Sequence, residues 1–329
     1  MIALEKTRNL ADIKIIKDEF LNLKKMKKKV IFLVGPTACG KSEIAAKLAQ
    51  RINAEIISCD SMQVYKGMPI LSNYPPKDLQ KKVTHHLVGH VLPTQNYDVA
   101  KFRREAVSKI RQITKKDKIP ILVGGTGFYF KVILDGIFSF PYRNKSIRER
   151  LYQKAKESGN EALYKELQEV DPLCAQKIHP NDLKRVIRAL EVYRLSGIPL
   201  SVWQKKAKGI IDDYEVKIFG LLRTKSELYK RIKQRIEQMF KAGIVNEVKS
   251  LLRLQLSDTA KQALGIKEIA DYLEGKYSLT DAKRMLILNT KRLVKKQMVW
   301  FKKDQRIKWI KIKSRQKDEE VVKEILKKI

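Results

Sequence analysis

The octapeptide Gly35-Pro36-Thr37-Ala38-Cys39-Gly40-Lys41-Ser42 has the spacing G-x-x-x-x-G-K-[ST]. It follows the apolar run 30–34 and opens the stretch 41–52, where Ile44, Ala45 and Leu48 share one helical face. In that context the pattern builds an anion cradle. Its glycines let backbone N–H groups converge on phosphate oxygens, and the helix N-terminus adds a partial positive charge. Lys41 adds a full charge, and Ser42 offers a hydroxyl to Mg²⁺. The cradle implies a bound di- or triphosphate, and a pyrophosphate leaving group suits it as well as a nucleotide does. Asp60 ends the next apolar run, 55–59. In an open parallel sheet it then lies on the same rim as the cradle, as does Thr126 behind the run 120–123. A carboxylate there can bind Mg²⁺, act as a general base, or only cap the following turn. Arg231 and Arg235 are spaced i,i+4 on one helical face, so one or both could reach phosphate, the alternative being a solvated basic stripe. His85, His86 and His179 lack metal-binding spacing and read as structural or hydrogen-bonding groups.

These residues need strands and helices in alternation, and the sequence supplies them. Strands are expected at 30–34, 55–59 and 120–123, with helices at 41–52 and 97–115. That order predicts an α/β, P-loop NTPase-like parallel sheet flanked by helices. From Tyr142 the chain becomes helical, charged and poor in strands, broken at Asp171-Pro172, His179-Pro180 and Ile198-Pro199. Strand composition returns at 216–222, followed by helices over 225–254 and 281–303 and a final strand at 307–312. The expected organisation is an extension at 1–29, a core at 30–141 and 209–313, and a helical insertion at 142–208. A charged tail, 314–329, reads as weakly ordered or as a short surface helix.

Composition narrows the function classes. The chain has 329 residues and 43% hydrophobic content, enough for one large domain or two smaller ones. No run of apolar residues is long enough to span a bilayer, and no signal-type run opens the chain, so a cytoplasmic protein without a membrane partner is expected. Three cysteines without a C-x-x-C pair argue against a disulfide framework or a structural zinc. Lys and Arg total 70 against 36 Asp and Glu, a formal charge of +34. That surplus favours a polyanion such as RNA or DNA, the alternative being a uniformly basic surface. Lys24, Lys25, Lys27, Lys28 and Lys29 crowd the end of the extension. Such a run reads as a solvated leader before it reads as an RNA contact. No coiled-coil or paired apolar surface is legible, so a monomer is expected.

Several stretches together resemble the tRNA dimethylallyltransferase (tRNA isopentenyltransferase) family. They are GPTACGKS at 35–42, EIISCDSMQVYKGM at 55–68, HHLVG at 85–89, FRREA at 102–106 and ILVGGTGFYFKVILDG at 121–136. HPNDLKRVIRALEVYRLSG at 179–197, QALGIKEI at 262–269 and KKQMVWFKK at 295–303 continue the family order. The resemblance implies transfer of a dimethylallyl group from dimethylallyl diphosphate to the exocyclic amine of an adenosine. That adenosine lies 3′ of the anticodon in tRNAs reading codons that begin with U; pyrophosphate is released and Mg²⁺ is used. By resemblance, Gly35, Pro36, Thr37, Ala38, Cys39, Gly40, Lys41, Ser42 and Arg231 hold the diphosphate. Asp60 is the general base, and Thr126 and Arg235 act at the reacting centre. Asp60, Ser61, Met62, Gln63 and Thr126 hold the target adenosine. Arg148, Lys177, Ile178, His179, Pro180, Asn181, Gln262, Ala263, Leu264, Gly265 and Ile266 face the tRNA anticodon stem-loop.

The chain departs from the common bacterial pattern at two places: Leu71-Ser72-Asn73-Tyr74 replaces G-T-A-K, and Gly89 stands where many members carry Asp. These lean toward relatives that prenylate free adenine nucleotides. The helical insertion, the HPND stretch and the surplus charge favour tRNA. A small-molecule kinase and an RNA-stimulated ATPase share the cradle and are the other readings. The C-x-x-C…H…H zinc finger of eukaryotic members is absent, which suggests a bacterial or organellar type. Cys39 and Cys59 flank the expected site, so their oxidation is expected to inhibit the enzyme.

Overall fold

A computed structural model describes residues 27–138 and 144–329. The basic extension up to Met26, with Lys24 and Lys25, and the expected start of the insertion at Tyr142 fall outside the described residues. The chain begins with β1 (Lys29–Val34), α1 (Lys41–Arg51), β2 (Ala54–Ser58), α2 (Lys77–Lys82) and β3 (His85–His86). There follow α3 (Val99–Lys115), β4 (Ile119–Gly124), α4 (Gly127–Leu134), α5 (Lys145–Val170), α6 (Pro172–Ala175), α7 (Leu183–Ser196) and α8 (Leu200–Lys205). The last elements are β5 (Glu215–Leu222), α9 (Lys225–Lys241), α10 (Ile244–Leu252), α11 (Ile266–Leu273), α12 (Leu279–Phe301), β6 (Lys308–Lys311) and α13 (Asp318–Leu326).

Two compact units divide these elements. One comprises the residues up to Tyr129 together with Ile211–Ile329, and the other is Phe130–Ile210. In the first, six strands form one sheet in the order β3-β2-β4-β1-β5-β6, every pairing parallel. Val30–Val34 is buried throughout, as a strand covered by helices on both faces must be. Side-chain caps set several helix starts: Asp98 accepts from Lys101 N, Thr224 from Glu227 N and Ser278 from Asp281 N. The helical stretch 225–254 is two helices, parted at Gly243. Histidines do structural work at the sheet edge. Buried Glu55 is held by His86 Nε2 at 2.7 Å and Lys118 Nζ at 2.9 Å.

Of the two readings of the charged tail, the short helix is the one found. It is α13, which buries Val321, Val322 and Ile325, while Glu319 pairs with Lys47 and Arg51 of α1. Its apolar spacing, hidden among charges, is what ties it down.

The second unit packs α5 to α8 around Leu151, Leu163, Leu167, Val186, Leu190 and Leu200. Asp171 is buried because it caps twice, accepting from Cys174 N at 3.0 Å and Ser201 N at 2.8 Å. Glu191, fully buried, receives Arg148 through two nitrogens at 2.9 Å each, Arg188 at 2.6 Å and the Asn144 amide at 2.9 Å. Those four hydrogen bonds replace the water that a buried carboxylate loses.

Candidate active site

The parallel register brings the expected residues to one rim. Val34 lies opposite Gly124, and Ser58 opposite Val123, so the loops after β1, β2 and β4 emerge side by side. Gly124 makes the approach possible: a Cβ there would stand 2.2 Å from Cys59 O. Thr37, Asp60 and Thr126 follow these three strands.

The cradle is gripped by cations. Lys41 Nζ donates to Gly35 O at 2.9 Å and Pro36 O at 2.8 Å. From α9, Arg231 Nε donates to Ala38 O at 2.8 Å and Arg235 Nη1 to Thr37 Oγ1 at 2.8 Å. The arginines are therefore not a solvated stripe. Burial pulls the Arg235 guanidinium below its ordinary pKa, and the Asp60 and Glu43 carboxylates pull the other way. Among the described residues neither Arg231, Arg235 nor Lys41 is ion-paired, so their charge is available to an anion in the cradle.

Asp60 does cap the next turn: its Oδ1 accepts from Met62 N at 2.9 Å and Gln63 N at 3.4 Å. Capping and chemistry do not compete here, because those bonds fix the carboxylate while leaving Oδ2 without a hydrogen bond among the described residues. Thr126 Oγ1 accepts from Ser61 N at 3.1 Å and meets Ser61 Oγ at 3.4 Å. It thus ties the β4 loop to the Asp60 turn.

Two cavities meet at this point. One, about 360 Å³, contains Thr37, Lys41, Ser42, Asp60, Arg231 and Arg235 in its lining. The other, about 680 Å³, is bordered by Asp60, Thr126, Met239, Leu293, Gln297 and Trp300, and by Gln262, Ala263 and Leu264. Thr37, Asp60, Ser72 and Arg235 line both. The wall between a polyphosphate-sized cradle and a roomier, partly apolar chamber thus consists of a carboxylate, two hydroxyls and a guanidinium.

Other expected residues lie elsewhere or face inward. Gly265 and Ile266 are buried behind the 262–264 edge of the chamber. Ala263 and Ile178 are also buried, Ile178 in the core of the helical unit, so these positions offer backbone rather than side chain to a ligand. Arg148 is occupied by Glu191. Lys177, His179 and Asn181 are exposed on the helical unit, with Pro180 half-buried. Cys39 and Cys59 are fully buried, and burial with the neighbouring Asp60 charge pushes the Cys59 thiol well up. A buried thiol kept protonated is a poor target for oxidants, which argues against Cys59 as a redox-sensitive group.

Three contributors escaped the sequence reading. Gln297 of α12 accepts from Thr37 N at 2.8 Å and donates to Gly125 O at 3.0 Å, bridging the cradle to the β4 loop. Arg223, buried and paired with Glu227, donates to Cys39 O at 3.0 Å. Glu247 of α10 accepts from Ile70 N and Leu71 N. Signals existed for the first two: an uncharged polar residue inside KKQMVWFKK, and a cation directly after a strand that ends on the rim.

Comparison with known proteins gives the family. A profile of the IPP transferase family matches residues 63–304. The tRNA dimethylallyltransferase of Carboxydothermus hydrogenoformans is 45% identical over 86% of this chain and 92% of its own length. That of Geobacter sulfurreducens is 41% identical over 86% and 92%. Among solved structures, the full-length tRNA isopentenylpyrophosphate transferase of Bacillus halodurans superposes with a TM-score of 0.65 at 34% identity, covering 92% of this chain and 97% of that one. A eukaryotic dimethylallyltransferase captured acting on tRNA gives a TM-score of 0.70 at 30% identity over 86% and 74%. With a matched profile over most of its length and relatives this similar over 86% of it, the chain belongs to the IPP transferase family.

Proposed function

We propose that the chain transfers a dimethylallyl group from dimethylallyl diphosphate to the exocyclic amine of the adenosine 3′ of the anticodon, in tRNAs reading codons that begin with U, releasing pyrophosphate. The observation that carries this reading is the pair of cavities meeting at Thr37, Asp60 and Arg235. A group transfer needs donor and acceptor to arrive from separate sides at one reacting centre. An ATPase that only hydrolyses its nucleotide has no use for a second chamber opening on its carboxylate, and a kinase, which also seats an acceptor, differs in transferring a phosphoryl group.

In this reading the cradle and Lys41 seat the diphosphate, with Arg231 and Arg235 beside it. An unstacked adenine enters the larger chamber, as base-modifying enzymes require. Asp60, fixed by its two amide bonds, takes the proton as the weakly nucleophilic amine attacks. Negative charge develops on the leaving diphosphate, where the fixed amides, Lys41 and Arg235 stabilise it most strongly. Thr126 and Gln297 hold the loops at their working separation. Lys177, His179 and Asn181, exposed on the helical unit, and Gln262, Ala263 and Leu264, at the edge of the larger chamber, are assigned to tRNA by resemblance, while Arg148 is spent on Glu191; the chain's surplus charge suits a polyanion.

The donor set fits Mg²⁺ delivered with the substrate. Among the described residues no group of three or more His, Cys, Asp or Glu could hold a resident metal, while Ser42 and Asp60 line the same cavity. Mg²⁺ takes most of its ligands from phosphate and water, and when bound it neutralises charge on the diphosphate. No helix among the described residues is long and apolar enough to cross a membrane. We assign the enzyme to the cytoplasm, acting as a monomer.

The test is the protein with dimethylallyl diphosphate, Mg²⁺ and an anticodon stem-loop carrying three consecutive adenosines. The prenyl mass is expected on the RNA, not on adenosine monophosphate. ATP-dependent phosphoryl transfer without prenylation would reject the proposal.

A further inference from the structure

Most carbonyls of the cradle loop are turned to cations. Lys41 takes Gly35 O and Pro36 O, Arg231 takes Ala38 O at 2.8 Å, and Arg223 takes Cys39 O at 3.0 Å. Lys41 and Arg231 line the smaller cavity, where an incoming anion competes for their donors. Arg223 lies outside that lining and is 7% exposed. Glu227 holds it from behind: Oε1 accepts from Arg223 Nη1, while Oε2 is buried without a hydrogen bond among the described residues. The bond to Cys39 O is therefore the grip that a bound anion leaves alone.

The consequence falls on one amide. In a trans peptide the C=O and the following N–H point in opposite directions. The peptide between Cys39 and Gly40 is trans, so holding Cys39 O on the Arg223 side directs the Gly40 N–H to the other side. Gly40 lines the smaller cavity, and its N–H meets no acceptor among the described residues. The Cys39 N–H, by contrast, is spent on Pro36 O at 3.4 Å. Ala38 has φ +65° and Gly40 φ +95°, the kind of turn geometry that gathers backbone N–H groups around an anion. Both guanidiniums reach this peptide: Arg231 Nη2 and Arg223 Nη2 lie 3.7 Å and 3.8 Å from where a Cβ on Gly40 would stand. Without the grip on Cys39 O, the peptide is free to turn its carbonyl toward the cavity, and a carbonyl oxygen repels phosphate.

Resting on the function proposed above, we propose that Arg223 is a positioning residue for the diphosphate: through Cys39 O it keeps the Gly40 N–H facing the anion. Its charge is not the instrument, since Glu227 holds that charge and the guanidinium stands outside the cavity lining. An orienting contact of this kind serves the diphosphate in the ground state and the transition state alike, so it sets KM for the donor more than kcat. The acceptor's chamber is not lined by Arg223, so KM for the RNA is left alone.

The test titrates inorganic pyrophosphate with Mg²⁺ into the full chain by calorimetry, beside kinetics with dimethylallyl diphosphate and the anticodon stem-loop. Arg223→Met combined with Glu227→Gln removes the buried pair together and leaves no lone charge behind. That double variant should bind pyrophosphate about tenfold more weakly and raise KM for the donor to match, with kcat and KM for the stem-loop within about threefold of wild type. Glu227→Gln alone keeps an acceptor for Arg223 while releasing its charge, and should leave pyrophosphate affinity within about threefold. Arg223→Lys keeps the charge but not the fork that serves Cys39 O and Glu227 at once, so it too should weaken pyrophosphate binding. It decides the matter if thermal melting shows the double variant unfolded. Unchanged pyrophosphate affinity in the folded double variant, or in folded Arg223→Lys where the double variant does not fold, overturns the proposal. So does a gain of about tenfold in Glu227→Gln, which would make Arg223 a bare charge, or a KM that rises equally for donor and stem-loop. Wild type that binds pyrophosphate yet prenylates no RNA sinks the function instead, and the titration still decides the role of Arg223.

Discussion

Arginines in the two units are used in opposite ways. On the rim, Arg231 and Arg235 donate to a carbonyl and a hydroxyl, neutral acceptors that orient them without cancelling their charge. In the helical unit, Arg148 and Arg188 converge on one buried carboxylate. Charge held by neutral partners is stored for a ligand. Charge held by a carboxylate is consumed by the fold. Net charge alone cannot tell these apart, since both kinds count equally in the +34.

The largest expected effect tests the rim's own carboxylate. Asp60→Ala should lower turnover by about 10²–10⁴-fold while stem-loop binding, measured by filter retention, falls little. Unchanged turnover would remove the base from the mechanism. Arg235→Ala should lower kcat by about 10²–10³-fold with a small change in melting temperature. Arg148→Met should do the reverse, losing about 1–3 kcal/mol of stability in urea titration while kcat is kept, because Glu191 loses one of its two cations. Matching losses of kcat in these two variants would break the comparison.

Acid sharpens it. Burial opposes ionisation of Glu191, but its bonds from Arg148, Arg188 and the Asn144 amide win and hold the carboxyl below its ordinary value of 4.5. A lowered folded value adds stability above 4.5 that is lost as pH falls through the folded value. Glu247 is the counter-case. Burial raises it despite its bonds from Leu71 and Ile70, so its contribution is present at low pH and lost as pH rises through the folded value. Melting curves should therefore show Glu191→Gln flattening the acid limb and Glu247→Gln flattening a smaller decline above pH 4.5. The same slope in both variants would mean that neither carboxyl is placed as described.

Legibility followed sequence distance. The strand, loop and helix around 30–52 were readable because every atom of the cradle comes from one short segment with an unmistakable period. The tail left order and disorder both open because charges outnumber the three apolar residues that dock it. Asp60 was placed on the rim by its position after a strand, yet its double duty as cap and candidate base appears only when the Met62 amide and both cavities are seen together.

Sequence by itself determined the parallel α/β core, the anion cradle and the family resemblance, since these rest on local spacing and on runs of residue types. Tertiary structure alone decided which cations stay unpaired, which cavity meets which, and what holds the cradle's carbonyls. Thr37 receives Arg235 from 198 residues away and Gln297 from 260 residues away. Such pairings exist only after the chain has closed its long loops, and no local pattern encodes them.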